Sequence, residues 1–335
     1  MQTVEKIVCQ GDPWGSIECG LMVDGFGKDS LKPELEPYNY KDKVPVPLLG
    51  MVDDTLLISE CGYKTYRMNA FINAKTALKR LQFGPDKCHV MYVGKNIPEH
   101  KKMDLYVDGW KVQETKDVET GATTTQDIFE GEEDIMETNL EKYLGQVICS
   151  GGTNVKNVEN CAGKGIGMGN TIESILKYVP GGKFHFEIAV LMRIAYLISS
   201  MLSCSEVWYN ISESDLRKLE QSDESLMRKI LNCSSQVSGE ILSLELGLLP
   251  VRHIIKLRRM IYLQHILKQR KKNTLLYRFF IAQLEAPKRN NWISSVKNYI
   301  TETKLEMSLE QIEEMNTDKF KTLCKEKVKK THFNI

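Results

Sequence analysis

The chain has 335 residues with 45 basic and 44 acidic side chains, a formal charge of +1, so net charge by itself names no polyanionic partner. That length supports two or three packed units, each with its own core. Nine cysteines stand singly and in odd number, with no C-x-x-C or paired Cys/His spacing. This excludes a zinc ribbon and a disulfide framework and, with no signal-peptide pattern, predicts reduced thiols in an intracellular protein, nuclear or cytoplasmic.

The first hundred residues are punctuated by Gly and Pro between short apolar runs, the pattern of mixed α/β structure. Leu48–Val52 and Thr55–Ser59 read as two strands of an antiparallel hairpin with the acidic turn Asp53-Asp54 at its tip. Tyr66–Leu81 has its apolar residues at helical spacing, and Cys88–Val93 reads as another strand that stops at Gly94. The segment from Lys111 to Glu141 holds ten acidic residues against two lysines. Low hydrophobicity with like charge predicts a solvated, disordered, protease-sensitive insertion.

From Val155 onward the pattern is helical. Ser212 with Asp215, Ser238 and Ser308 with Gln311 are capping signals, and Pro250 suits the first turn of a further helix. The longest apolar stretch, Ile188–Leu202, is too short and, with Arg193 and several serines, too polar to span a bilayer, so it reads as a core helix. Gly163–Asn170 is rich in glycine but lacks the G-x-x-x-x-G-K-[ST] order of a phosphate loop; it reads as a flexible or closely packed opening of a helix. Val251–Lys272 carries eight Lys/Arg, two His and no acid around an apolar stripe. A helix of this kind can lay Arg252, Lys256, Arg258, Arg259, Arg270 and Lys271 along a nucleic-acid backbone, or be an amphipathic face in solvent. His89, His100, His185 and His332 show no ligand-like spacing.

Two neighbouring carboxylates approach one point only where a strand turns, and their mutual repulsion is relieved by a hard cation such as Mg²⁺. Asp53-Asp54 at a hairpin tip meets that requirement, although an Asp-Asp turn in solvent has the same sequence. Gln10-Gly11-Asp12-Pro13 taken alone is a turn.

Order and spacing add meaning to these fragments. Gln10-Gly11-Asp12-Pro13 is followed by Met51-Val52-Asp53-Asp54, by Leu81–Met91 with Lys87, by Lys142-Tyr143-Leu144-Gly145, and by Ser205–Tyr209, Arg228–Leu231 and Leu244–Pro250. This succession resembles the reverse transcriptase of a non-long-terminal-repeat retrotransposon, over roughly Gln10 to Gln269. Met51-Val52 and Trp14-Gly15-Ser16 depart from the family's commoner residues.

The resemblance implies an α+β fold: a partial polymerase palm, an antiparallel hairpin with flanking helices, followed by a mostly helical thumb-like region. The corresponding segments are 1–110 for the partial palm, 111–141 for the acidic insertion, 142–160 for the end of the palm and 161–335 for the helical region. It implies RNA-directed DNA synthesis on an RNA template and DNA primer, with deoxynucleotides as substrates. Asp53 and Asp54 would be catalytic ligands of a Mg²⁺ pair, Lys87 would neutralise the leaving phosphate, and Gln10 with Gly11 would line the nucleotide pocket. Only nine residues precede Gln10 and none is an aspartate, whereas the family's first metal-binding aspartate lies upstream of that motif. The resemblance therefore implies an incomplete metal site and a chain inactive alone. A non-catalytic nucleic-acid-binding remnant and a repurposed helical interaction module fit the same residues.

Overall fold

The computed structural model describes residues 30–35, 37–46, 48–51, 54–78, 83–94, 105–116, 123–208, 211–285 and 291–333. The architecture is mixed helix and sheet, mostly helical with small sheets, and the chain divides into two compact units. One comprises residues 1–145 with 149–152, the other 146–148 with 153–335, so the segment read as the end of the palm is divided between them.

In the first unit every sheet among the described residues has two strands. β1 (Asn39–Tyr40) pairs with β2 (Val44–Pro45), and β3 (Leu49–Met51) pairs antiparallel with β4 (Asp54–Leu56). Val44, Val46 and Leu48 are buried at every second position, the period of a half-buried extended chain. The Leu48 N–H donates to Ser30 Oγ at 2.8 Å, which holds the lead into β3. Helix α1 (Gly62–Leu78) starts a turn before the expected Tyr66. It buries Met68, Asn69, Ile72, Asn73 and Thr76, one face at helical spacing. The Asn69 and Asn73 amides donate to the Tyr106 carbonyl at 2.6 and 3.0 Å, which satisfies groups otherwise costly to bury. β5 is shorter than expected, His89–Val90, because it pairs in parallel only with the two residues of β8 (Met136–Glu137).

The acidic insertion is corrected. Among its described residues it is not irregular: β6 (Tyr106–Lys116) and β7 (Thr123–Asp134) form a long antiparallel ribbon with a register shift at Gly109/Trp110. Charge counting over residues 111–141 missed two things. Val107, Trp110, Val112, Thr123–Thr125, Ile128 and Phe129 are strand formers. Pairing also sets most acids opposite uncharged residues, Glu114 against Thr125 and Asp127 against Val112, with Glu132 against Asp108 the like-charged exception.

The second unit is helical and has two large cores. The first is built by α2 (Val155–Leu176), α3 (Lys183–Met192, continued by a π-helical turn Arg193–Ile198 and Ser199–Met201), α4 (Glu213–Leu231) and the start of α6 (Val251–Lys268). The second gathers the rest of α6 with α7 (Leu275–Glu285), α8 (Trp292–Glu302), α9 (Leu309–Glu314) and α10 (Thr317–Phe333). Between α4 and α6 lies the short α5 (Gly239–Glu245). The capping signals appear as expected: Ser212, Ser238 and Ser308 accept from the backbone N–H groups of Asp215, Ile241 and Gln311.

Two sequence expectations change in this unit. The glycine-rich stretch lies in the interior of α2, where Gly165 and Gly169 let α4 approach. A Cβ on Gly165 would stand 2.7 Å from Met201 Sδ and 3.2 Å from Ser222 Cβ, whereas one on Gly163 or Gly167 would meet nothing within 4 Å. The apolar helix runs from Lys183 to Met201, 19 residues, and among the described residues it alone is long and apolar enough to cross a membrane. The argument that it is too short thus fails. One face, Ala189, Arg193, Leu197, Ile198 and Met201, is nevertheless packed in the core.

Candidate functional site

The hairpin residues come first. Met51 is paired with Asp54, so β3 and β4 bracket Val52 and Asp53. Asp53, Gln10 and Gly11 lie outside the described residues. Asp54 opens β4 and is exposed, and Lys87 is exposed in a single 3₁₀ turn, Pro85–Lys87. The later motifs gather near them. Tyr143, at the end of β9 (Leu140–Tyr143), has its hydroxyl pushed above its ordinary range by burial and then by the Asp54 carboxylate. The chain then turns through Leu144 at φ 47° and Gly145 at φ 79°, a left-handed pair in which glycine carries no Cβ penalty. On β9, Glu141 stands 2.9 Å from His89 Nδ1 of β5. The first unit thus brings together residues from the Met51–Asp54 and Lys142–Gly145 motifs, and sets His89 of Leu81–Met91 against Glu141, the residue before the latter motif. Among the described residues no three His, Cys, Asp or Glu converge as metal ligands, and Asp54 is the one carboxylate of the acidic pair whose position is described.

The basic face read over Val251–Lys272 is largely an internal structure. Helix α6 runs through both cores of its unit, with Val251 and Ile255 in one and Met260, Leu263 and Ile266 in the other. Its cations are taken up by neighbouring helices. Arg252 donates to Glu220 at 2.5 and 3.1 Å and to Glu213 at 3.2 Å, and the Glu220 hydrogen bonds hold its pKa above the ordinary guanidinium value. Lys256 pairs with Glu302 at 2.5 Å and lies 5.2 Å from the Tyr299 ring centre. Arg258 donates to the Leu202 carbonyl and Ser205 Oγ, and burial pushes its pKa down. Arg259 is only 2% exposed. These four do not form a surface along which a phosphate backbone runs. The correction has a simple cause: helical spacing shows which residues share a face, but not whether a neighbouring helix supplies acids to it. Exposed cations remain at the far end, where Arg270 stands 3.5 Å from Glu313 and Lys271 and Lys272 are exposed.

Those acids are the residues the sequence reading passed over. Glu220, Asp223 and Glu224 are buried on α4. Glu224 takes Arg217 and Arg228, while Asp223 takes Arg193 at 2.6 and 2.5 Å in a two-pronged pair with both partners almost wholly buried. Spacing of i, i+3 and i+4 on the same face as Leu216 and Met227 was the available signal. Also missed was His253, whose ring lies 4.7 Å from that of His332. Burial lowers the pKa of His253 to about 4, and His332, Lys256 and Arg252 add to the effect. Comparison with protein-family models, with curated proteins and with solved structures finds no match to this chain.

Proposed function

We propose that the chain is part of a reverse transcriptase from a non-long-terminal-repeat retrotransposon, acting inside the cell on an RNA template and DNA primer with deoxynucleotides. The observation that carries this reading is the β3–β4 register, Met51 opposite Asp54, which brackets Asp53 as a palm hairpin would. The Tyr143–Asp54 proximity supports it, since these residues come from separate motifs of the resemblance.

The described residues do not by themselves fit a Mg²⁺ pair. Two ions about 3.5–4 Å apart need carboxylates from more than one strand, and Asp54 stands in no cluster of three ligating side chains among the described residues. This favours a second reading, a nucleic-acid-binding remnant without catalysis, whose contacts would come from the exposed Arg270, Lys271 and Lys272.

Primer extension on an RNA template with Mg²⁺ or Mn²⁺, comparing the chain with Asp53→Ala, tests both. The expected outcome is no extension, with weak binding that falls with salt. Replacing Arg270, Lys271 and Lys272 together should flatten the salt dependence by about three phosphate contacts. Extension that depends on Asp53 would establish an active polymerase. Neither extension nor salt-sensitive binding would sink both readings.

A further inference from the structure

Helix α10 carries six lysines against two acids, Asp318 and Glu326. Its apolar side turns inward, where Phe320, Cys324 and Val328 are wholly buried in the second core of the helical unit. Lys321, Lys325 and Lys329 are exposed and recur at i, i+4 and i+8, so they form one row along the helix, about 6 Å apart. Other helices of this unit match their cations with carboxylates, as Lys218 does with Glu159, Lys229 with Glu173 and Lys256 with Glu302. The α10 row is different. Among the described residues Lys325 and Lys329 form no ion pair, Glu326 pairs with none of the lysines around it, and Lys321 has only Asp318 at 3.9 Å, a carboxylate that is itself 90% exposed.

Like charges stacked four residues apart weaken the helix that carries them. The helix dipole favours cations in the last turn, which accounts for Lys330 but not for Lys321 or Lys325. The fold alone gives no reason for the row. Positive charge also gathers where α6 meets the start of α10. The two helices run antiparallel: Lys268 Nζ donates to Thr317 Oγ1 at 2.7 Å at one end, and the His253 and His332 rings lie 4.7 Å apart at the other. Lys268 is exposed at the Thr317 end, and Lys271 and Lys272 follow it, exposed as well.

We propose that this face of α10 binds the phosphate backbone of double-stranded nucleic acid, with Lys321, Lys325 and Lys329 tracking one strand. A lysine ammonium is a compact point charge that suits a phosphate oxygen. Among the described residues from α6 to α10 no apolar side chain is exposed, and this decides between occupants. Protein–protein interfaces are poor in lysine and centre on apolar and aromatic groups. A helix lying on a membrane presents an apolar face beside its basic one. Single strands stack their bases on aromatic rings. A contact made of lysine alone fits the regular phosphates of a duplex, read without regard to sequence. The inference rests on the nucleic-acid-binding reading and adds α10 to the contacts that Arg270, Lys271 and Lys272 would make.

The full chain is titrated into labelled DNA and RNA duplexes of one sequence and into their single strands, following fluorescence anisotropy over a salt series. Co-sedimentation with vesicles of equal parts phosphatidylserine and phosphatidylcholine is measured beside them. One variant combines Lys321→Gln, Lys325→Gln and Lys329→Gln, since glutamine sustains a helix as lysine does and circular dichroism checks that it has. A second combines Arg270→Gln, Lys271→Gln and Lys272→Gln. The unaltered chain should prefer a duplex to its single strands, and the duplex bound more tightly names the source of the phosphates. In the α10 variant the affinity lost between about 50 and 200 mM salt should shrink by about 40-fold, the effect of three phosphate contacts, and in Lys325→Gln alone by about three- to fourfold. Unchanged salt dependence in both α10 variants, with a reduced one in the Arg270, Lys271 and Lys272 variant, overturns the proposal and leaves the broader reading standing. No binding by the unaltered chain overturns both. Equal affinity for single strands, or binding to vesicles and not to duplexes, overturns the duplex assignment.

Discussion

The two units place their polar groups and their apolar bulk in opposite ways. The helical unit has two extensive cores, and it buries arginines and carboxylates between its helices. In the first unit the described core is a small cluster around Leu48 and Ile72, flanked by two-stranded sheets. Two-stranded ribbons are marginal alone, because half of each strand's backbone groups face solvent. A unit made of them depends on further strands or on a partner, whereas a helical bundle satisfies its backbone within each helix.

The largest test of that contrast separates the units. Residues 153–335 expressed alone should keep their helical circular dichroism and unfold cooperatively in urea, while residues 1–152 alone should show no cooperative transition. A sharp urea transition for residues 1–152 would show that the described core understates that unit's stability.

Next is the Arg193–Asp223 pair. Asp223→Ala strands a guanidinium that also donates to the Leu249 carbonyl at 3.2 Å, and should lower the unfolding free energy by about 3–5 kcal/mol. Replacing both partners by apolar residues should recover much of that, since the uncompensated charge and not the missing bond carries the penalty. If the single and double variants are equally unstable, the pair contributes by attraction and this account is wrong.

A finer test compares two glycines on one helix. Gly165→Ala must displace Met201 or Ser222, and crowding of this kind costs about 1–3 kcal/mol, only partly offset by the better helix propensity of alanine. Gly167→Ala meets nothing and should stabilise by up to about 1 kcal/mol. Opposite signs in urea melts would fix the α2–α4 approach; equal signs would refute it.

These glycines also show what the sequence discloses. Periodicity and caps placed the helices well, because Ser212, Ser238 and Ser308 act on their own backbone within three residues. Local rules did not place the glycines inside α2, since their role is set by a helix some 50 residues away. The same holds for the site. The hairpin was legible as strand, turn and strand, but one residue out: Asp54, read as part of the turn, opens β4 opposite Met51. The basic helix was legible as basic, yet its partners Glu213, Glu220 and Glu302 come from α4 and α8, so its charges turned out to be internal. The ribbon at 106–134 was missed because its strand partner lay partly outside the acidic window.

The smallest expected effect is a pH dependence in the helical unit. Folded His253 takes up a proton only near pH 4, because burial and then His332, Lys256 and Arg252 disfavour its charged form, against an ordinary value of 6.5. Between those values the unfolded chain binds the extra proton and the folded chain does not. Stability therefore falls as pH drops from about 6.5 towards 4, and below 4 both states are protonated and the loss is complete. His332 is shifted down as well, mainly by burial, while Glu240 opposes the shift, so its contribution has the same sign. Because His253 retains substantial solvent contact, screening reduces the effect, and about 1 kcal/mol between pH 7.5 and 5 is expected. His253→Asn removes this proton linkage and leaves His332 and the carboxylates to set what remains. Urea unfolding at the two pH values should then show a smaller acid loss in the variant by about that amount. An identical loss in both proteins would mean that the folded chain takes up the His253 proton as readily as the unfolded one, and that the packing of α6 against α10 at this point is looser than the His253–His332 ring contact implies.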